Sequence, residues 1–267
     1  LAMPKATLTK RLEFCASHRY HNPKWDDAKN KQVFGPCNNE HTHGHNYIIE
    51  VTLQGEIDPV TGMIINLYDL KQYLWEVLEQ FDHKNLNLDT PYFTTLIPTT
   101  ENLALTLWKV LEQHPQMPAL DRIRLFEDPN LFADVTTELL HGSESSPDSP
   151  RASITRRYNF SSAIQDLSGH STGHNYTTEV TISGTIDPDT GQVVNIDSLD
   201  QIVRKGVIER FHQKNVSLDP AFKNTAVTEG NLACFIWGSI AGEFSTGTLT
   251  QVTVSEGPDT QAIYRGS

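Results

Sequence analysis

Between Phe34 and Tyr47 the chain reads Phe34-Gly-Pro-Cys37-Asn-Asn-Glu-His41-Thr-His43-Gly-His45-Asn-Tyr47, with one cysteine and three histidines inside nine residues. Apolar alternation begins directly afterwards at Tyr47, Ile49 and Val51, the period of a β-strand. In an extended chain His41, His43 and His45 would point to one side, because strand side chains alternate between faces. Imidazoles gathered on one face suit a zinc ion, and a cysteine close by is a candidate base or nucleophile. Three further places could carry chemistry. His18 closes the run Phe14-Cys15-Ala16-Ser17-His18-Arg19, Asp82-His83 follows an amphipathic segment, and Glu127 precedes Asp128-Pro129-Asn130. An adjacent carboxylate and imidazole can orient and tune each other for proton transfer. A carboxylate such as Glu127 can hold an amidine-like pair of N–H donors through two parallel hydrogen bonds.

The elements that must position these residues can be read from periodicity. Residues 5–18 and 45–57 alternate like strands, and Asp58-Pro59-Val60-Thr61-Gly62 between them and the next element is a turn. From Asn66 the period changes, with Leu67, Leu70, Leu74, Val77, Leu78 and Phe81 at helical spacing. A second helix is expected to begin at Thr99-Thr100-Glu101-Asn102, where threonine caps and an acid favours the positive helix end. Its stripe is Leu103, Leu107, Val110 and Leu111, and it ends by Pro115. Residues 121–127 and 131–138 read as two more strands. Strand pair, helix pair, strand pair argues for an α+β fold, an antiparallel sheet covered on one face.

The chain then says nearly the same thing again. Gly44-His45-Asn46-Tyr47 returns as Gly173-His174-Asn175-Tyr176, and the turn Gly55–Gly62 as Gly184–Gly191, both offset by 129 residues. Phe81–Asp89 and Asn102-Leu-Ala104 return as Phe211–Asp219 and Asn231-Leu-Ala233. The expected organisation is a first unit at 1–140, a polar Ser/Pro-rich linker at 141–150, and a second unit at 151–267. The second is expected to place strands near 155–163 and 174–186, helices near 198–211 and 229–243, and strands near 248–256 and 260–265.

Composition narrows the function. The 267 residues are 37% hydrophobic and 20% charged, which fits folded domains of ordinary size. A formal charge of -12 speaks against a nucleic-acid surface. No apolar run approaches the ~20 residues of a membrane-spanning helix, and Leu1–Lys5 reads as lacking a signal-peptide core, with Met3 a candidate initiator. Three scattered cysteines, Cys15, Cys37 and Cys234, point to a reducing compartment and hence the cytosol.

Phe14–Arg19, Cys37 with His43-Gly44-His45-Asn46-Tyr47, Asp82-His83-Lys84, Pro98-Thr-Thr-Glu101-Asn102 and Glu127 stand in the order seen in 6-pyruvoyl-tetrahydropterin synthases. The wider group includes the 6-carboxy-tetrahydropterin synthases of queuosine biosynthesis. The resemblance covers the first repeat and, more loosely, the second. It implies the T-fold (tunnelling fold), whose ββααββ units assemble into a barrel with helices outside and active sites at unit interfaces. It implies zinc held by His18, His43 and His45, with Cys37 the general base and Asp82 and His83 the proton-transfer pair. Glu127 would anchor the pterin, with Thr100 and Glu101 also binding substrate. His41 has no counterpart in the family motif. The implied substrate is 7,8-dihydroneopterin triphosphate, and the implied product 6-pyruvoyl-tetrahydropterin after triphosphate elimination. Arg19, Lys24 and Lys84 are candidates to meet the phosphates, and Mg2+ could accompany them.

The second repeat departs at most chemical positions. Ile164 stands for His18, Thr172 for His43, His212-Gln213 for Asp82-His83 and Gly230 for Glu101, while His174 and Glu256 keep the places of His45 and Glu127. Phe14 to His45 spans 31 positions but Phe160 to His174 only 14, so the segment holding Cys37 is shortened. One histidine does not make a zinc site, so the second repeat is expected to bind no catalytic metal. The expectation is a homo-oligomer, a trimer of tandem chains or larger. Two rival readings are a 6-carboxy-tetrahydropterin synthase and a non-catalytic pterin-binding or assembly protein. The five-residue gap between Cys37 and His43 resembles the pyruvoyl-forming branch better.

Overall fold

The computed structural model describes residues 3–142, 146, 149–166 and 168–266. Of the expected linker, residues 143–145, 147 and 148 therefore lie outside the described residues. The chain divides into two compact units, Leu1–Ser153 with Thr185–Val193, and Ile154–Gly184 with Val194–Ser267. Residues 185–193, which carry the second repeat's Asp-Pro turn, thus belong to the first unit.

In the first unit the order is β1 (Lys5–His18), α1 (Asp27–Phe34), β2 (His43–Glu56), α2 (Leu67–Leu78), β3 (Lys84–Asn85), α3 (Leu86–Asp89), α4 (Thr100–Glu112), β4 (Ala119–Asp128), β5 (Leu131–Thr136) and α5 (Thr137–His141). Its strands lie in the order β3-β1-β2-β4-β5. All neighbours are antiparallel except the short β1–β3 pair. Phe14, Tyr47, Ile49, Val51, Ile123 and Leu125 are buried, alternating along their strands as one covered face requires. α4 packs on β4 and β5, and α2 packs on α4. The other face of β1 and β2 is polar, with Thr9 hydrogen-bonded to Thr52 at 2.8 Å and Arg11 to Glu50 at 3.2 Å. Fully burying a Leu or Phe side chain contributes about 1.5–3 kcal/mol, so the covered face supplies the main stabilising term.

Several sequence expectations shift. His41 lies in a turn and Thr42 has φ 61°, so β2 starts only at His43 and His41 does not share its face. Leu67 is the first residue of α2, where Asn66 caps the chain, and it is 53% exposed rather than part of the stripe. Phe81 lies beyond the helix end but is fully buried. Residues 137 and 138 turn helical because the Thr136 side chain caps α5. α1 carries no apolar stripe long enough to read as a helix from sequence; Asp26 caps it and Asn30 and Phe34 face inward.

The second repeat contains β6 (Arg151–Gln165), β7 (Ser171–Thr185), α6 (Ile196–Val203), α7 (Glu209–Phe211), α8 (Glu229–Ile240), β8 (Thr248–Glu256) and β9 (Thr260–Tyr264), in sheet order β6-β7-β8-β9. The helix expected at 198–211 is interrupted by a π-helical stretch at Arg204–Ile208. There Gly206 lies against α8, and a Cβ on it would stand 3.1 Å from Ile240. Among the described residues no helix is long and apolar enough to cross a membrane.

Candidate functional site

The β1–β2 register places His18 directly opposite His43, and Ala16 opposite His45. Opposed residues on antiparallel strands have Cβ atoms about 5 Å apart, so three imidazoles meet on the helix-covered face. His18 Nε2 and His43 Nε2 stand 3.2 Å apart, and the ring of His45 lies 5.1 Å from each of the other two. Glu127, at the end of β4, closes the group: His18, His43, His45 and Glu127 each offer a ligand atom within 4.8 Å of the others.

The polar partners explain how the group is held. The Pro98 carbonyl can only accept, so at 2.9 Å it fixes the proton on His18 Nδ1 and leaves the Nε2 lone pair facing the cluster. Tyr47 Oη also lies 3.0 Å from that Nδ1. Glu127 Oε2 accepts from Tyr20 Oη at 3.0 Å and from Thr100 Oγ1 at 2.5 Å, and its Oε1 lies 3.5 Å from His45 Nε2. His43 Nδ1 and His45 Nε2 are buried with no hydrogen-bond partner among the described residues. Buried, unpaired ring nitrogens cost stability unless something binds them.

The charges follow. Burial lowers the pKa of His18 to about 4, with His43 and His45 adding to the effect and Glu127 opposing it. Burial and the neighbouring His45 lower His43 as well. Both are therefore neutral near pH 7, as metal ligands must be. Burial works against ionisation of Glu127, yet His18, His45 and the Thr100 and Tyr20 hydroxyls hold its pKa below the ordinary value. Burial raises Tyr20 and Tyr47, and the Glu127 carboxylate and Cys37 raise them further, so both phenols keep their protons.

This group fits a tetrahedral zinc ion. Two nitrogens at about 2.0–2.1 Å from one zinc stand about 3.3 Å apart at the tetrahedral angle, close to the His18–His43 separation. The orphaned Nε2 of His45, 3.5 Å from Glu127, supplies the other reason.

The remaining sequence candidates fall in three places. Cys37 ends a 3-10 turn, Gly35–Cys37, whose last carbonyl accepts from Tyr20 N–H at 2.9 Å; it packs beside Tyr20, Phe34 and Ile97, and the Tyr20 ring meets His18 edge to face. Glu101 is 2% exposed at the start of α4, and its Oε1 accepts from Val193 N–H at 3.0 Å. Burial raises the Glu101 pKa to about 7. Asp82 and His83 pair with each other at 2.8 Å, but their neighbour is Cys15, not Cys37: Cys15 N–H donates to Asp82 Oδ1 at 2.8 Å and His83 N–H to the Cys15 carbonyl at 2.6 Å. Cys15 lies three residues from His18 on β1 and so faces the opposite side, which keeps this pair away from its own chain's histidine group. His83 is held at φ 56°, the left-handed region.

Sequence reasoning missed Tyr20 and the Pro98 carbonyl. Tyr20 sits two residues beyond His18, so extending the period-two reading by one step would have found it. The Pro98 contact depends on how α4 is placed over the sheet, which no local pattern encodes.

In the second repeat the same frame recurs with other chemistry. Ser161 N–H donates to His212 Nδ1 at 3.1 Å, and Gln213 repeats the left-handed turn at φ 57°. His174 has both ring nitrogens engaged, by Thr172 Oγ1 at 2.7 Å and Glu256 Oε1 at 2.6 Å.

An α+β unit whose sheet gathers three imidazoles and a buried carboxylate defines a protein class with a candidate metal site on one sheet face. The chain belongs to the 6-pyruvoyl tetrahydropterin synthase family, whose profile matches residues 7–138 and 154–267. It is 43% identical to the 6-pyruvoyl tetrahydrobiopterin synthase of Homo sapiens over 127 residues, 47% of this chain and 88% of that protein. A putative 6-carboxy-5,6,7,8-tetrahydropterin synthase of Archaeoglobus fulgidus is 32% identical over 93 residues, 35% of this chain and 74% of that protein. The solved structure of Caenorhabditis elegans 6-pyruvoyl tetrahydropterin synthase is 40% identical, covering 48% of this chain and 93% of that one with a TM-score of 0.47.

Proposed function

We propose that the chain is a cytosolic, zinc-dependent 6-pyruvoyl-tetrahydropterin synthase. It would convert 7,8-dihydroneopterin triphosphate to 6-pyruvoyl-tetrahydropterin with loss of triphosphate, in the first repeat (1–140). The 141–150 linker then joins it to a second repeat (151–267) without a zinc site. The observation that carries this reading is the convergence of His18, His43 and His45, with His45 Nε2 buried and unpaired among the described residues, beside the ionised Glu127. The human relative's name supports the choice of reaction.

Zinc held by His18, His43 and His45 would supply Lewis acidity to the hydroxyls of the substrate side chain. Glu127 receives the N–H donors of the pterin ring, and its orientation is set by Tyr20 and Thr100 from one side. Cys37, packed against Tyr20, takes a carbon-bound proton from the side chain. Side-chain oxidation and ring reduction balance, so the conversion needs no external oxidant. Asp82 and His83 carry the partner proton transfer. Because they share a face with Cys15 rather than with His18, they serve the histidine group of another copy in a homo-oligomer.

Product identification from 7,8-dihydroneopterin triphosphate tests the reaction. Triphosphate and 6-pyruvoyl-tetrahydropterin are expected. Acetaldehyde with a carboxylated pterin would replace this reading by the 6-carboxy-forming one, and no turnover with zinc bound would leave a binding protein.

A further inference from the structure

A second group of metal-ligand atoms lies on the side of β1 opposite the histidine group. Cys15 Sγ, an Asp82 carboxylate oxygen and a His83 ring nitrogen stand within 4.8 Å of one another. The parallel β1–β3 pairing, Ala16 with Lys84 and Ser17 with Asn85, draws the residues just before β3 alongside Cys15. Two contacts fix the approach: Cys15 N–H donates to Asp82 Oδ1 at 2.8 Å, and His83 N–H to the Cys15 carbonyl at 2.6 Å. Cys15 and Asp82 are 67 positions apart, so no sequence motif announces the group.

One thiol, one carboxylate and one imidazole form a mixed donor set. A thiolate selects soft or borderline ions, and a tetrahedral ion takes three protein ligands with water in the fourth position. Coordination deprotonates a thiol outright, so the Cys15 proton now given to Asn46 Oδ1 at 3.2 Å would pass to solvent as the metal–sulfur bond forms. Asp82 Oδ1 stays with the Cys15 N–H, which leaves Oδ2 for the ion. Oδ2 and His83 Nδ1, 2.8 Å apart, would open to roughly 3.3 Å to share it. The His83 side chain is 79% exposed, so solvent gives it room for that movement.

The second repeat keeps the frame without the ligands. Ser161 stands for Cys15 and His212-Gln213 for Asp82-His83. Ser161 Oγ donates to Asn175 Oδ1 at 2.7 Å, as Cys15 Sγ does to Asn46. Gln213 adopts φ 57° where His83 has 56°. Serine and glutamine therefore fit these two places in the fold, and the ligand group belongs to the first repeat's own side chains.

We propose that Cys15, Asp82 and His83 form a second, weaker site for a thiophilic divalent cation, and that metal bound there stops turnover by occupying the Asp82–His83 pair. The inhibition rests on the proton-transfer role given to that pair above; the site itself does not. Three ligands at the surface compete with water for the ion, whereas the histidine group is largely shielded. The chain as purified thus keeps the one zinc, and the second site fills only with added metal.

Cadmium added to the zinc-loaded full chain tests this. A thiolate-to-cadmium absorption band should rise to about one equivalent per chain with zinc content unchanged, and turnover should fall in step. Without cadmium, Cys15→Ser should turn over like the wild type, because no step of the proposed reaction uses Cys15. Losing an outer-shell partner already costs about 10–100-fold in metal affinity, so losing the thiolate should raise the cadmium needed for half-inhibition by about 100-fold or more. His83→Gln should weaken the band likewise, whereas Cys37→Ala and Cys234→Ser should keep it. A band that survives Cys15→Ser, that is lost with Cys37→Ala or Cys234→Ser, or that grows only as zinc leaves would overturn the site. A full band with undiminished turnover would instead overturn the proton-transfer role of Asp82 and His83. The band is read whichever reaction the chain performs, so the two fail separately.

Discussion

Replacing Glu101 by glutamine should flatten the pH dependence of stability. Glu101 is buried, and burial raises its pKa from 4.5 to about 7. In the unfolded chain the same carboxyl ionises near pH 4.5, so folding favours the protonated form. That contribution is fully present below pH 4.5 and is lost as the pH rises through about 7. At roughly 1.4 kcal/mol per pH unit, the displacement corresponds to about 3 kcal/mol, of which about 2–3 kcal/mol is lost between pH 5 and pH 8. Glutamine keeps an oxygen to accept from Val193 N–H and has no charge to bury. Urea unfolding at fixed zinc content, at pH 5 and at pH 8, should show the wild type losing about 2–3 kcal/mol more than Glu101→Gln. Parallel losses in the two proteins would refute the assignment of a buried, proton-binding carboxyl at this position.

Two further perturbations bear on the histidine group. Tyr20→Phe removes the phenol that donates to Glu127 Oε2 and leaves a buried carboxylate one hydrogen bond short. Stability should fall by about 1–3 kcal/mol, read from urea unfolding, and KM for the pterin should rise. Mixing a Cys37→Ala chain with a His83→Ala chain should restore activity that neither has alone, if the Asp82–His83 pair serves another copy; a mixture as inactive as its parents would place the pair elsewhere.

Much of the site could be read in the sequence because strand parity is a local rule. His43 and His45 are two apart and share a face, and Glu127 falls at the end of an alternating strand. The third histidine was harder: nothing near His18 announces His43, and the two meet only through the β1–β2 register, so the family resemblance had to supply it. That Cys15 faces away from His18 follows from parity too, but its meeting with Asp82 and His83 rests on the parallel β1–β3 register. The docking of residues 185–193 into the first unit could not be read, because it joins positions 92 residues apart, as in Thr99 and Gly191. Its trace in the sequence is the replacement of Glu56, Val60, Met63 and Ile64 by Thr185, Asp189, Gln192 and Val193. Likewise α1 is built by the Asp26 cap and the inward Asn30, which donates to the Asn22 carbonyl at 3.0 Å, rather than by an apolar stripe.

Metal analysis of the purified chain tests the central claim most directly. About one zinc per chain is expected, bound by His18, His43 and His45, falling to near zero in His43→Ala while Cys37→Ala keeps its zinc and loses turnover. Two zincs per chain, or a His43→Ala chain that retains a full complement, would contradict the account.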